Sequence, residues 1–296
     1  MKTNTILITG GDGFTGQHAS KYFKSQGYNV ITTTKKNKNK DTFKINLNER
    51  EKVSDMIEKL KPQYILHLAG QNDVQKSWSD PLETLEANVV GTMNIIEAVR
   101  KVNPQAKMVI VGSILENYSS HPYGLSKALQ ALIAAKWVDF YNLNITIAKP
   151  VNLIGPGFSN GVCAMFAKKI ACLEAKNKTG KLIILNQKIK RDFLDVRDAI
   201  RSYETLLLKG ERGETYDIGT GRMVSIMDIA TIYKQLTDYS FEIEVKNEPV
   251  QLNVPEVNPN PLRSLGWHPL YALHQSLSDC LNFYRKNTTC GGDETG

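Results

Sequence analysis

The run Thr5-Ile6-Leu7-Ile8-Thr9, followed at once by Gly10-Gly11-Asp12-Gly13-Phe14-Thr15-Gly16 and a helix-like stretch to about Gln26, constrains the fold more than any other segment. The β-branched apolar run reads as a short strand, and Gly10, Gly13 and Gly16 space the turn as G-x-x-G-x-x-G. Such a turn lets backbone amides at a helix N-terminus approach a pyrophosphate, because free N–H groups and the helix dipole favour an anion. Gly10, Gly11, Asp12, Gly13, Phe14, Thr15 and Gly16 are therefore candidate cofactor-binding residues.

Strands and helices alternate from there. Strands are predicted at Asn29–Thr33, Thr42–Leu47, Tyr64–Leu68, Lys107–Gly112 and Asn144–Ala148, and helices at about Glu49–Leu60, Pro81–Val102 and Tyr123–Asn142. This order predicts an α/β fold with a doubly wound parallel sheet. Two prolines and two glycines in Lys149–Gly157 break the alternation. Beyond them come a helix near Val162–Ala175, a strand at Leu182–Leu185, the segment Lys190–Asp198 and a helix to about Leu208. Asp195 and Asp198 are spaced as a helix N-cap with an acidic N3. Tyr216–Gly219 is a candidate returning strand, and Ser225–Leu236 and Ala272–Arg285 read as helices. The predicted division is a cofactor domain over residues 1–155, rejoined by 195–222, and a smaller C-terminal α/β substrate domain over 156–194 and 223–296.

In 296 residues, 41% are hydrophobic, enough for a substantial core, yet no apolar run approaches the ~20 residues that span a bilayer. The glycine turn begins at Gly10, too soon for a signal peptide, so a soluble cytoplasmic protein with no membrane partner is expected. Cys163, Cys172, Cys280 and Cys290 are too few and too widely spaced for a zinc site or disulfide framework, so reduced thiols and no metal are expected. The formal charge of +7 suits an anionic ligand. The dense basic run from Lys35 to Lys40 has no interleaved aromatics, so it reads as a solvated loop and no nucleic-acid partner is expected.

The end of the second strand sharpens the cofactor. A carboxylate there would hold an adenosine ribose, whereas Thr34, Lys35 and Lys36 offer a hydroxyl and two ammonium groups that would attract a 2′-phosphate. NADP(H) is the expected cofactor, with NAD(H) possible. Ala69 and Gly70, after the fourth strand, leave room for it, and His67 among apolar residues reads as a satisfied core histidine. Tyr123 and Lys127 stand four apart at the start of a helix and so share a face. An ammonium there would lower the phenol pKa from about 10 and create an acid/base group. The same helix is apolar on more than one face, which predicts burial on two sides and a homodimer packed through residues 81–102 and 123–142.

Together these residues resemble the extended short-chain dehydrogenase/reductase family, in its branch acting on nucleotide-diphosphate sugars. The resemblance is carried by Thr9–Gly16, His67–Gly70, Asn88–Thr92, Ser113 with Tyr123 and Lys127, Lys149–Gly157, Arg191–Asp198 and Ile218–Gly221. It implies a Rossmann-type sheet and a catalytic set of Ser113, Tyr123 and Lys127. It also implies cofactor contacts from Asn46, Leu47, Leu68, Val111, Pro150 and Val151, and substrate contacts from Gln71, Ser113, Asn152 and Arg191. Asn152 as a buried polar cap and Arg191 as a surface ion pair with Asp192 are the alternatives. Dehydratases of the family carry an Asp-Glu pair after the catalytic Ser/Thr; here those places hold Ile114 and Leu115, and Glu116 would serve only with a shifted loop. The loop from Ser113 to Tyr123 is short, and Lys149 replaces the usual arginine. The resemblance is greatest to the GDP-4-keto-6-deoxymannose reductases, implying NADPH-dependent reduction of a nucleotide-diphosphate 4-keto-6-deoxyhexose. A 4-epimerase with retained cofactor is the alternative; a dehydratase and a non-catalytic NADP-binding protein follow behind.

Overall fold

Continuous apolar runs become strands where both faces of a sheet are covered by helices. A computed structural model describes residues 4–36, 41–117, 121–248 and 256–287 of the chain. Lys38 and Lys40 of the basic run, residues 118–120 before Tyr123, and Cys290 lie outside the described residues. The chain begins β1 (Thr5–Thr9), α1 (Phe14–Ser25), β2 (Asn29–Thr34), β3 (Thr42–Lys44), α2 (Arg50–Leu60) and β4 (Tyr64–His67). It continues through α3 (Val74–Ser79), α4 (Pro81–Leu85), α5 (Gly91–Val102), β5 (Lys107–Val111), α6 (Pro122–Tyr141) and β6 (Ile145–Pro150). Next come β7 (Asn152–Ile154), α7 (Val162–Lys176), β8 (Lys181–Ile184), β9 (Lys190–Arg191) and β10 (Phe193–Asp195). The remainder is α8 (Val196–Lys209), β11 (Thr215–Ile218), β12 (Val224–Ser225), α9 (Ile226–Gln235), β13 (Glu242–Val245), α10 (Asn260–Ser264) and α11 (Leu273–Asn287).

Seven of the described strands form one parallel sheet in the order β11-β6-β5-β4-β1-β2-β3. The order reverses at β1, where β2 lies on one side and β4 on the other, so the carboxyl ends of β1 and β4 flank a topological switch point, the usual ligand position in such sheets. The expected doubly wound Rossmann-type sheet is thus present. Leu7, Ile65, Ile110 and Ile147 on the strands pack with Ile57, Ile95, Ile96 and Val99 from α2 and α5 in one core. This unit comprises Met1–Pro150, Ala199–Ile218 and Asn258–His268.

The second unit comprises Val151–Asp198, Gly219–Val257 and Pro269–Gly296. Its core gathers Phe166 and Ile170 of α7, Ile229 and Tyr233 of α9, and Leu277 and Leu281 of α11. Ser225 and Asp228 form a reciprocal capping box at the start of α9. At α8 the two carboxylates of the expected cap bind different partners. Asp195 accepts the Arg197 amide at 2.8 Å, but the Asp198 carboxylate accepts the Leu270 and Tyr271 amides, both at 2.9 Å.

Two expectations change, and the apolar helix α6 shows which of its sides the chain itself covers. The helix foreseen over 81–102 is interrupted by a π-turn at Glu86–Val90, which places Asn88 in the interior. Within one chain, helix α6 buries one side. Tyr123, Ser126, Lys127, Gln130, Ala134 and Val138 face inward, while Leu125, Leu132, Phe140 and Tyr141 are exposed. Cys163 and Cys280 are free and buried, but Cys172 is disulfide-bonded, so the expectation of reduced thiols fails there.

Candidate active site

The glycine turn has the shape its spacing foretells. Gly10 has φ +71°, and a Cβ there would sit 3.0 Å from the Ala69 backbone. A Cβ on Gly16 would lie 2.1 Å from the Gly10 carbonyl oxygen, so helix and turn touch backbone to backbone. Gly13 is different, since the nearest atom to its Cβ would be 3.4 Å away, an ordinary contact. Internal packing does not require glycine at Gly13; close approach of an outside group would. Gly13 is the N-cap of α1, and among the described residues no side chain caps that terminus and no acid lies in its first turn. The uncapped amides of Phe14, Thr15 and Gly16 suit a pyrophosphate, so this end of the chain fits a dinucleotide.

At the end of β2, Thr34 is buried and its hydroxyl accepts the Lys36 amide at 3.1 Å, fixing the turn from which Lys35 and Lys36 project exposed. Leu47 is buried, and Asn46 turns the chain by accepting the Asn48 amide. The Leu68 and Ala69 amides both donate to the Thr9 hydroxyl, at 3.1 and 3.0 Å, which ties the carboxyl ends of β1 and β4 together. Pro150 ends β6, and Val151, next in the chain, is a buried residue of the second unit.

Ser113, Tyr123 and Lys127 are brought together and all three are buried. The Ser113 Oγ accepts the Leu115 amide at 3.1 Å, and the Ser113 side chain acts on the Tyr123 phenol to lower its pKa. Lys127 Nζ donates to the Val111 carbonyl at 3.0 Å and to Gln130 Oε1 at 2.9 Å. The expected lowering of the tyrosine pKa is reversed. Burial raises the Tyr123 pKa, the Ser113 hydrogen bond opposes this, and the Glu116 charge adds to it. Burial pushes Lys127 down to about 8, the Glu116 charge opposing. Exclusion from water, which disfavours the charged form of each group, outweighs their sharing of a helix face.

Behind this set lies a polar network of which the sequence reading named only fragments. Gln130 Nε2 donates to the Thr92 hydroxyl at 2.8 Å, and that hydroxyl donates to the Asn88 carbonyl at 2.6 Å. With the Thr92 proton so placed, His67 Nε2, 2.8 Å from the same oxygen, must be the donor, leaving His67 Nδ1 to accept from Thr9 at 2.8 Å. His67 is the satisfied core histidine expected; burial pushes its pKa down to about 3, and the nearby Lys127 adds to this. The Asn88 carboxamide accepts the Gln71 amide at 2.7 Å and donates to the Gln71 carbonyl and the Ser126 hydroxyl. It also explains Gly70, where a Cβ would lie 2.5 Å from Asn88 Oδ1. The Gln71 side chain bonds Asp73 and Thr84, so it braces the loop instead of presenting free donors. Gln130 was legible only as a residue three positions after Lys127.

Ile114 and Leu115 begin a single 3₁₀ turn, Ile114–Asn117. Glu116 in that turn is buried and paired with Lys149. In the second unit, Asn152 is exposed rather than a buried cap, its Nδ2 donating to the Asp192 carbonyl at 3.1 Å. The Asp192 carboxylate accepts from the Thr220 amide and hydroxyl and from the Gly221 amide, at 2.6–2.9 Å. Arg191 therefore has no ion pair with Asp192, and among the described residues it has none with any other acid. Its Nη1 donates to the Lys190 carbonyl, and burial lowers its pKa. A partly desolvated guanidinium lacking a carboxylate suits an anionic ligand. Among the described residues no cluster of His, Cys, Asp or Glu could hold a metal, and no helix is long and apolar enough to cross a membrane.

Comparison with known proteins agrees with this geometry. A family model described as the NAD dependent epimerase/dehydratase family matches residues 6–219. The chain is 27% identical to GDP-6-deoxy-D-mannose reductase of Pseudomonas aeruginosa, over 95% of this chain and 97% of that protein. It is also 27% identical to a putative UDP-glucose 4-epimerase of Methanocaldococcus jannaschii, over 95% of this chain and 99% of that one. The solved structure of RMD from Pseudomonas aeruginosa complexed with NADPH superposes with a TM-score of 0.85 at 25% identity, covering 97% of this chain and 100% of that chain.

Proposed function

The chain belongs to the NAD dependent epimerase/dehydratase family, and from that membership we propose that it uses NADPH to reduce a nucleotide-diphosphate 4-keto-6-deoxyhexose at C4. The observation that carries this reading is the end of β2, where Thr34, Lys35 and Lys36 stand in place of a carboxylate, a set suited to the 2′-phosphate of an exchangeable NADPH. The similar reductase and the NADPH complex of RMD support it. Gly10–Gly16 would hold the pyrophosphate, and the cofactor when bound supplies the hydride.

The chain's own residues would supply the proton. Burial keeps Tyr123 protonated at neutral pH, which suits a donor to a carbonyl oxygen better than a resident base. Ser113, beside that phenol, would hold the same carbonyl oxygen, and Lys127 would keep a positive charge beside the ribose. Asn152 and Arg191 are the proposed contacts to the sugar nucleotide and its diphosphate. Ile114 and Leu115 cannot move protons, which counts against dehydration. The exposed apolar side of α6 supports a homodimer through α6 and residues 81–102. A 4-epimerase is the second reading, favoured by the equal identity to the putative epimerase.

The test is NADPH consumption with a panel of nucleotide-diphosphate 4-keto-6-deoxyhexoses. Stoichiometric oxidation is expected, and Tyr123→Phe should lower turnover by ~10²–10⁴-fold while still binding NADPH. Nucleotide that survives dialysis, with no net consumption, would instead establish the epimerase.

A further inference from the structure

Glu116, in the turn after Ser113, and Lys149, which stands where the resembling family has arginine, meet in the interior. The Glu116 carboxylate pairs with the Lys149 ammonium through Oε1, with side chains only 5% and 17% exposed. The Glu116 amide donates to the Ser113 carbonyl at 3.1 Å, which closes the turn between them. The second carboxylate oxygen, Oε2, is buried without a hydrogen-bond partner among the described residues. That oxygen lies against Gly112, where a Cβ would be 2.8 Å away, so the glycine before Ser113 makes room for the carboxylate. A buried carboxylate with one oxygen unbonded is costly to fold. Its charge reaches two members of the proposed catalytic set, favouring the protonated form of both Tyr123 and Lys127.

We propose that Glu116 and Lys149 are positioning residues, a buried charge pair that pins the Ser113 turn to β6 and sets the electrostatic field at the Tyr123 phenol. The inference rests on the reading of Tyr123 as proton donor. With its carboxylate held beneath Ser113, Glu116 keeps Tyr123 protonated, and Lys149 limits that effect by partial neutralisation. The other groups at the phenol are Ser113 from the same turn, the His121 ring stacked at 5.9 Å on its own helix, and Tyr203 from α8, whose hydroxyl is also buried without a partner among the described residues. His67 from β4 bears on Lys127 instead. Of these only Glu116 is anionic.

The two partners must therefore act in opposite directions. Tyrosinate formation at position 123 is read from the difference in ultraviolet absorbance titration between each protein and its Tyr123→Phe counterpart, which needs no substrate. Glu116→Gln should move that titration down by about one pH unit, and Lys149→Met should move it up. Lys149→Arg, which keeps the charge, should leave it in place. The basic limb of the NADPH-dependent reduction should follow in the same directions. If Lys149→Met leaves the titration unmoved, or both variants move it the same way while circular dichroism shows a native fold, the proposal is overturned. If the titrations shift as stated but no keto-sugar is reduced, the coupling stands and the reductase assignment falls.

Discussion

Replacing Lys127 by Met tests how deeply the site is withdrawn from water. The side chain is 6% exposed, and burial pushes its pKa from the ordinary 10.5 down to about 8. Between those values the unfolded chain still holds a proton that the folded chain has released, so stability rises with pH across the window. From pH 7 to pH 10 this one group should add about 2–3 kcal/mol, at ~1.4 kcal/mol per unit of displacement. Methionine keeps the length of the stem and removes the titration. Loss of the bonds to Val111 and Gln130 should offset the variant by a constant, since neither partner titrates. Urea unfolding of both proteins at pH 7, 8, 9 and 10 gives the difference in stability, in which groups common to both largely cancel. The wild type should gain about 2–3 kcal/mol on the variant across the series. A difference that stays flat within ~1 kcal/mol would show that Lys127 is solvated and refute its withdrawal from water. At pH 7 the group is still mostly an ammonium, so the positive charge proposed to serve the cofactor is held at the expense of stability.

Two further outcomes are expected. Lys35→Ala combined with Lys36→Ala should weaken NADPH binding by ~10–100-fold in a calorimetric titration and leave NADH nearly unchanged; equal affinities in the wild type, unmoved by the substitutions, would remove the 2′-phosphate slot. Light scattering should give twice the chain mass, reduced to one chain by Leu132→Lys with Phe140→Lys; a monomeric wild type would refute the interface.

What could be read in advance divides along physical lines. The sheet was legible because strands covered on both faces leave uninterrupted apolar runs, as at Ile6–Ile8 and Met108–Val111. The glycine turn was legible because its spacing is a backbone requirement. Tyr123 and Lys127 were legible as neighbours, since helical geometry follows from separation alone. The sign of the Tyr123 shift was not, because it depends on depth below the surface, which spacing does not encode. Nor was the Glu116–Lys149 pair, whose members lie on a short turn and a strand that meet only in the folded sheet. Nor was it legible which side of α6 the chain itself covers. Its inward face carries Ser126, Lys127 and Gln130, so polarity and burial run opposite to the usual pattern.

The π-turn at Glu86–Val90 bears on which changes of length the chain can tolerate. Thr84, Asn88, Thr92 and Ile96 are all buried and recur at every fourth residue. In a regular helix each such step drifts by about 40°, so the three steps joining them would carry them about 120° round and away from the sheet. The widened turn takes up part of that drift and keeps them on one side. This helix therefore holds a residue count, not merely a composition. A one-residue deletion between Glu86 and Val90 would be felt at Gly70 and Ser126, far along the chain from the deletion, whereas insertions in exposed loops elsewhere would pass with little effect.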